Sequence, residues 1–139
     1  MRYIILSFVF IAILFNAKSQ TIPRPLPPPI PKADIITAKK VAADFAKDRS
    51  AADKKYRNYD HMMCFQGIIK EIIPGGDFDV LVLLDGKPSP LDVQFQMNSY
   101  QARELKKGIK GTFLAKYVRI KSNIVEMGSC IYIKNPVFE

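Results

Sequence analysis

Leu91-Asp92-Val93-Gln94-Phe95-Gln96-Met97-Asn98 alternates apolar and polar residues without a break, and Ser99-Tyr100-Gln101-Ala102-Arg103-Glu104-Leu105-Lys106-Lys107-Gly108 follows directly. Successive side chains of a strand point to opposite faces, so the first half predicts a half-buried strand. Leu91, Val93, Phe95 and Met97 face inward; Asp92, Gln94 and Gln96 face outward. The second half changes period. Asn98 and Gln101 have capping-box spacing, Ala102 and Leu105 give a short helix an apolar side, and Gly108 stops it. A strand that runs straight into a short helix is the feature on which the fold turns.

Upstream, the period is also 2 from Met62 onward. Met63, Phe65, Gly67 and Ile69 share one face of a long strand, Pro74-Gly75-Gly76-Asp77 is a turn, and Phe78, Val80, Val82 and Leu84 share the next inner face. Asp79, Leu81 and Leu83 then point outward, and Asp85–Pro90 is a loop. Downstream, Phe113, Ala115 and Tyr117 begin a fourth strand. Lys121-Ser122-Asn123 makes a hairpin turn, and Val125, Met127, Ser129, Ile131 and Ile133 alternate along a fifth. Ahead of all strands, Ala38, Val41, Ala42 and Phe45 fall at i, i+3, i+4 and i+7. This predicts a helix over 37–48 capped by Thr37, and a second over 51–57 capped by Ser50, with Asp53 three residues on. The order is helix, helix, three strands, helix, two strands. It predicts a mainly β (α+β) domain over 34–139: a five-stranded OB-fold barrel with two N-terminal helices and one short helix between strands three and four. Gly67 supplies the bend in the long first strand.

The chain has 139 residues, 21 basic and 13 acidic, for a net charge of +8. Residues 1–19 have the plan of a secretory signal peptide: Arg2, an apolar run from Tyr3 to Phe15, then Ala17-Lys18-Ser19. The run is shorter than the about 20 residues a membrane span needs. Cleavage after Ser19 is expected, with the product exported to the periplasm or the extracellular space. Removal of Arg2 and Lys18 leaves 19 basic and 13 acidic side chains, a net +6. Residues 20–33 are a proline-rich spacer with six of the ten prolines. Proline fixes φ and lacks an N–H, which favours extended polyproline II.

Several stretches together resemble the anticodon-binding-like OB-fold family of bacterial exported proteins and lipoproteins. They are Ala51-Ala52-Asp53-Lys54-Lys55-Tyr56, Phe65-Gln66-Gly67-Ile68-Ile69-Lys70-Glu71-Ile72, Val93-Gln94-Phe95, Leu105-Lys106-Lys107-Gly108 and Ser129-Cys130. The resemblance covers about residues 36–133 and implies the same barrel. Two departures stand out: no lipid-attachment cysteine follows the signal segment, and Ala115 stands where the family often has glycine. The family name records a likeness to tRNA-binding barrels and implies no ligand.

An OB barrel binds across strands two and three. Here the outward set is Asp92, Gln94 and Gln96 beside Asp79, Leu81 and Leu83. It lacks the aromatic platforms that stack nucleic-acid bases, and its carboxylates repel phosphate. Positive charge lies elsewhere, at Lys54, Lys55 and Arg57 on the second helix and at Arg103, Lys106, Lys107 and Lys110 around the third. Lys116, Arg119 and Lys121 follow on strand four. These form either one anion patch or separate solvated faces, with Lys106 and Lys107 favoured at the C-terminus of their helix. Cys64 and Cys130 fall on the face opposite the apolar register of their strands. In an exported protein they are either one disulfide or two separate buried thiols. Asp77, Asp79 and Asp85 lack a calcium-loop spacing, and His61 has no nucleophile to serve. Tyr56, Tyr59 and Tyr100 either line an oligosaccharide groove or pack helices onto the barrel. No metal, cofactor or catalytic residue is expected. The reading is an exported, non-catalytic OB-fold binding module contacting a protein or an anionic polymer of the cell envelope, with no stable membrane insertion once the signal is removed. The alternative is a nucleic-acid-binding OB-fold protein acting outside the cytoplasm.

Overall fold

The computed structural model describes residues 29–76 and 79–139. The signal segment, the spacer up to residue 28, and Asp77 and Phe78 lie outside the described residues. Six strands and three α-helices follow in order: β1 (Ile35–Thr37), α1 (Ala38–Lys47), α2 (Arg49–Arg57), β2 (Met63–Pro74), β3 (Asp79–Leu84), β4 (Asp92–Asn98), α3 (Ser99–Ala102), β5 (Lys110–Lys121) and β6 (Ile124–Tyr132). Strands β2-β3-β4-β6-β5 form a sheet that closes when β5 pairs back onto β2. Every barrel pairing is antiparallel except β4 with β6. The helical crossover through α3 carries the chain from β4 to β5. This is the OB-fold barrel that the strand–helix order predicts.

Strand β2 holds the barrel together because it serves two partners. Residues Met63–Ile68 pair with β5 and Ile69–Pro74 with β3, with a register shift between Ile69 and Glu71. The bend therefore comes from a bulge, which adds a residue and increases local twist. Gly67 has a different duty. A Cβ there would stand 2.9 Å from the Ala38 Cβ and 3.0 Å from Leu84 Cδ1, so the glycine lets α1 approach the barrel wall. The short β1 runs parallel to β2 along Cys64–Gln66, on ladder positions that β3 does not reach.

The interior follows the alternation read from the sequence. Phe65, Ile69, Val82, Leu84, Val93, Phe95, Phe113, Val125 and Met127 are all buried in one cluster. Phe95 stacks on Phe113 at 4.9 Å and meets Phe65 edge-on at 5.7 Å. Leu83 departs from its outward assignment and is buried outside this main cluster.

Helices α1 and α2 cover the barrel end where β2, β4 and β6 begin. The stripe Ala38, Val41, Ala42 and Phe45 is buried as predicted, and the Thr37 side chain accepts a hydrogen bond from Lys40 N–H. The second helix starts earlier than 51. Its cap is Asp48, whose Oδ1 accepts from Ala51 N–H at 3.0 Å, and Ser50 lies inside the helix. Both residue types cap well; the tight turn out of α1 decides between them. Phe45 packs on Tyr56 at 5.6 Å and on Tyr117 of β5 at 5.4 Å. Asp44 accepts hydrogen bonds from Lys55 Nζ and Tyr56 Oη, and Asp53 accepts from Arg57 and from Tyr117 Oη. Burial raises the Asp44 pKa, but the Lys55 and Tyr56 hydrogen bonds and the Lys55 and Lys40 charges outweigh it and hold the carboxyl below its ordinary range.

Two further expectations are corrected. Helix α3 ends at Ala102, so Lys106 and Lys107 sit in the following turn, which Gly108 (φ +86°) closes by donating its N–H to Ile69 O. Strand β6 does not alternate to its end. Ser129 takes φ +51°, next to a register shift in β5 between Leu114 and Lys116. That break inverts the faces beyond it: Cys130 turns into the core, while Ser129 and Ile131 point out.

Candidate binding site

Strands β3 and β4 bring the outward set together in register. Leu81 faces Gln96, Leu83 faces Gln94, and Asp79 faces Asn98. The parallel pairing of β6 with β4 then adds Glu126 beside Gln94. At the far end of this surface a shallow cleft of about 300 Å³ opens between Asp79, Gln96 and Asn98 on one side and Gly128 and Ser129 on the other. Gln96 Nε2 donates to Asp79 Oδ2 at 2.9 Å, which orients both for a ligand. Ser129 reaches the cleft because of its left-handed backbone.

Helix α3 starts at the rim of this cleft. Asn98 caps it by accepting from Tyr100 N–H at 2.7 Å. Tyr100 is 72% exposed, and the Arg103 guanidinium stands 4.9 Å from its ring centre. The three tyrosines thus part company. Tyr56 is buried and packs α2, whereas Tyr100 is a free surface aromatic beside the polar cleft. Sequence spacing does not reveal this, because a helix of four residues turns Tyr100 away from the barrel that Ala102 and Leu105 enter.

Of the three predicted face residues, Gln94 and Gln96 remain available. Asp92 is committed to structure: it pairs with Lys70 of β2, which raises the lysine pKa, and its side chain also meets Gly86 N–H. Glu126 binds Arg119 at 2.6 Å. The surface therefore presents amides and carboxylates, a poor match for phosphate.

The basic residues do not merge into one patch. Lys55 is paired to Asp44 at 2.7 Å, and Arg57 is paired to Asp53 while lying over the Tyr117 ring. Lys54 is exposed on the same helix. Lys106, Lys107 and Lys110 lie at the other end of β5. Lys110 and Tyr117 are seven positions apart on that strand, about 23 Å at about 3.3 Å per residue. The fold places two separate basic clusters, one per end.

Cys64 and Cys130 are both free. They sit on β2 and β6, which flank β5 on opposite sides, so their Cα atoms are about 10 Å apart at about 4.8 Å per strand. A disulfide needs under about 7 Å. Burial pushes the Cys130 thiol up to about 12. Among the described residues, no group of three or more His, Cys, Asp or Glu is placed to hold a metal, and no helix is long and apolar enough to cross a membrane.

Five closed strands with a helix between the third and fourth define an OB-fold barrel protein. No family model and no curated protein matches the chain. Among solved structures it is similar to one from Klebsiella pneumoniae subsp. pneumoniae, described as a putative nucleic acid-binding lipoprotein. The two are 17% identical with a TM-score of 0.58, over 73% of this chain and 94% of that one. That likeness carries the barrel across and nothing finer.

Proposed function

We propose that the protein is an exported, non-catalytic binding module that holds a protein partner through the cleft at the end of β3 and β4. The observation that carries this reading is the exposed Tyr100–Arg103 pair at the rim of the Asp79–Gln96–Asn98 cleft. Tyrosine and arginine are the residues that dominate protein interfaces, because they add contact area and hydrogen bonds at low entropic cost. The Asp79 carboxylate in the cleft favours a cationic or neutral peptide segment over an anionic polymer. Export rests on the signal-like first 19 residues.

A photo-crosslinking residue placed at Gln96 or Tyr100 tests this in the producing cell. Adducts with one protein are expected from both positions, lost on Arg103→Ala, and absent when the crosslinker replaces Lys54. Equal yields from Lys54 would sink the reading.

A second reading, nucleic-acid binding, draws on the description of the similar Klebsiella structure. It predicts single-stranded DNA binding that weakens steeply with salt and falls on charge reversal of Lys106, Lys107 and Lys110. DNA binding that falls with salt in this way and also depends on Tyr100 would favour it over a protein partner.

A further inference from the structure

His61-Met62 closes the α2–β2 connection and Met63-Cys64 opens β2, where strand parity sends the two side chains to opposite faces. Met63 enters the core, 4% exposed, while Cys64 leaves by the other face, beside half-buried Met62 of the connection. There they line a cavity of about 340 Å³ together with His61, Asp34 and Tyr59. The cavity holds a thiol, a thioether, an imidazole and a carboxylate. None of them lines the β3–β4 cleft.

We propose that this cavity binds one soft monovalent metal ion, Cu(I) or Ag(I), between the Cys64 sulfur and the Met62 thioether, with His61 as the third donor. The donor set decides the class of ion. No three His, Cys, Asp or Glu among the described residues stand close enough to hold a metal by themselves, so zinc and the hard cations lack a ligand set. Thioether and thiolate select Cu(I) and its congeners. Met62 and Cys64 are two positions apart, at most about 7 Å of chain, and the three rotatable bonds of methionine span that gap. As the S–metal bond forms, the thiol proton leaves to solvent and the ion's single charge balances the thiolate.

The test is a titration of the full 139-residue chain with Cu(I) held by bicinchoninate, repeated with Ag(I). One ion per chain is expected, with thiolate-to-metal absorption in the ultraviolet. Cys64→Ala should abolish binding, Met62→Leu should weaken it at least about tenfold, and Cys130→Ala should leave it unchanged. Met62 is half-buried at the strand entrance, so its leucine variant tests the site even if Cys64→Ala folds poorly. Absence of stoichiometric binding, retention by Met62→Leu, transfer of the dependence to Cys130, or equal competition by Zn(II) would each overturn the proposal.

Discussion

Replacing Phe45 by alanine tests whether the two N-terminal helices belong to the same cooperative unit as the barrel. Phe45 is 0% exposed and touches the rings of Tyr56 and Tyr117, so it joins α1, α2 and β5 at one point. Burying a phenylalanine side chain is worth about 1.5–3 kcal/mol, and each ring pair adds about 0.5–1.5 kcal/mol. The cavity left behind brings the expected loss to about 3–5 kcal/mol. A domain of this size has about 5–15 kcal/mol in all, so the variant should be marginal at room temperature. Its thermal midpoint should fall by about 12–40 °C, from about 4–8 °C per kcal/mol. Urea unfolding of residues 20–139, followed by circular dichroism, measures this. Phe45→Leu, which keeps most of the volume, should lose under about 1.5 kcal/mol. A loss below about 1 kcal/mol for the alanine variant would refute the reasoning. So would a clear drop in the denaturant slope, because the helices would then melt apart from the barrel.

Four further outcomes follow from the same fold. The folded pKa of Asp44 is depressed, so its contribution is present above the ordinary carboxylate pKa of about 3.9 and is lost as pH falls below it. Asp44→Asn should flatten the stability loss between about pH 5 and pH 2, read by thermal melts across that range. Tyr56 and Tyr117 are pushed above their ordinary pKa, chiefly by burial and then by their Asp44 and Asp53 hydrogen bonds. Stability should therefore fall as pH rises past about 10, and Tyr56→Phe should reduce that alkaline loss. Mass analysis of the protein after alkylation in denaturant without reductant should find two alkylated thiols; a product with no alkyl group and two hydrogen atoms fewer than the reduced chain would show a disulfide that this barrel does not permit. Gly86→Ala should cost about 2–4 kcal/mol or block folding, since a Cβ there would lie 1.8 Å from Leu91 O and 2.7 Å from the Ala42 Cβ. Denaturation of that variant beside Gly76→Ala, whose site is open, separates the clash from the loss of glycine itself.

Much of the barrel was legible in the chain because burial imposes a period. The inward set of β4, the stripe of α1 and the Asn98 cap each depend on neighbours within a few positions, and local spacing records such relations. The same holds for the strand–helix–strand order that defines the fold. What local spacing could not record was where the period breaks. A single left-handed residue, Ser129, moved Cys130 from the outer face into the core and Ile131 out of it. Nor did local spacing record the register shift between Ile69 and Glu71, where the long strand pairs with β3.

The binding surface divides along the same line. Residue types at Asp79, Gln94 and Gln96 already showed that the β3–β4 face lacks aromatic platforms and repels phosphate. Only the closed barrel set the α2 basic group and Lys110 toward opposite ends of β5, committed Asp92 to Lys70, and left Tyr100 exposed beside the cleft. Alternation and capping are properties of adjacent residues, so the amino-acid sequence determined the elements and the inner faces. Proximity between Lys70 and Asp92, or between β2 and β6 across β5, is a property of strand order and register, and tertiary structure alone decided it.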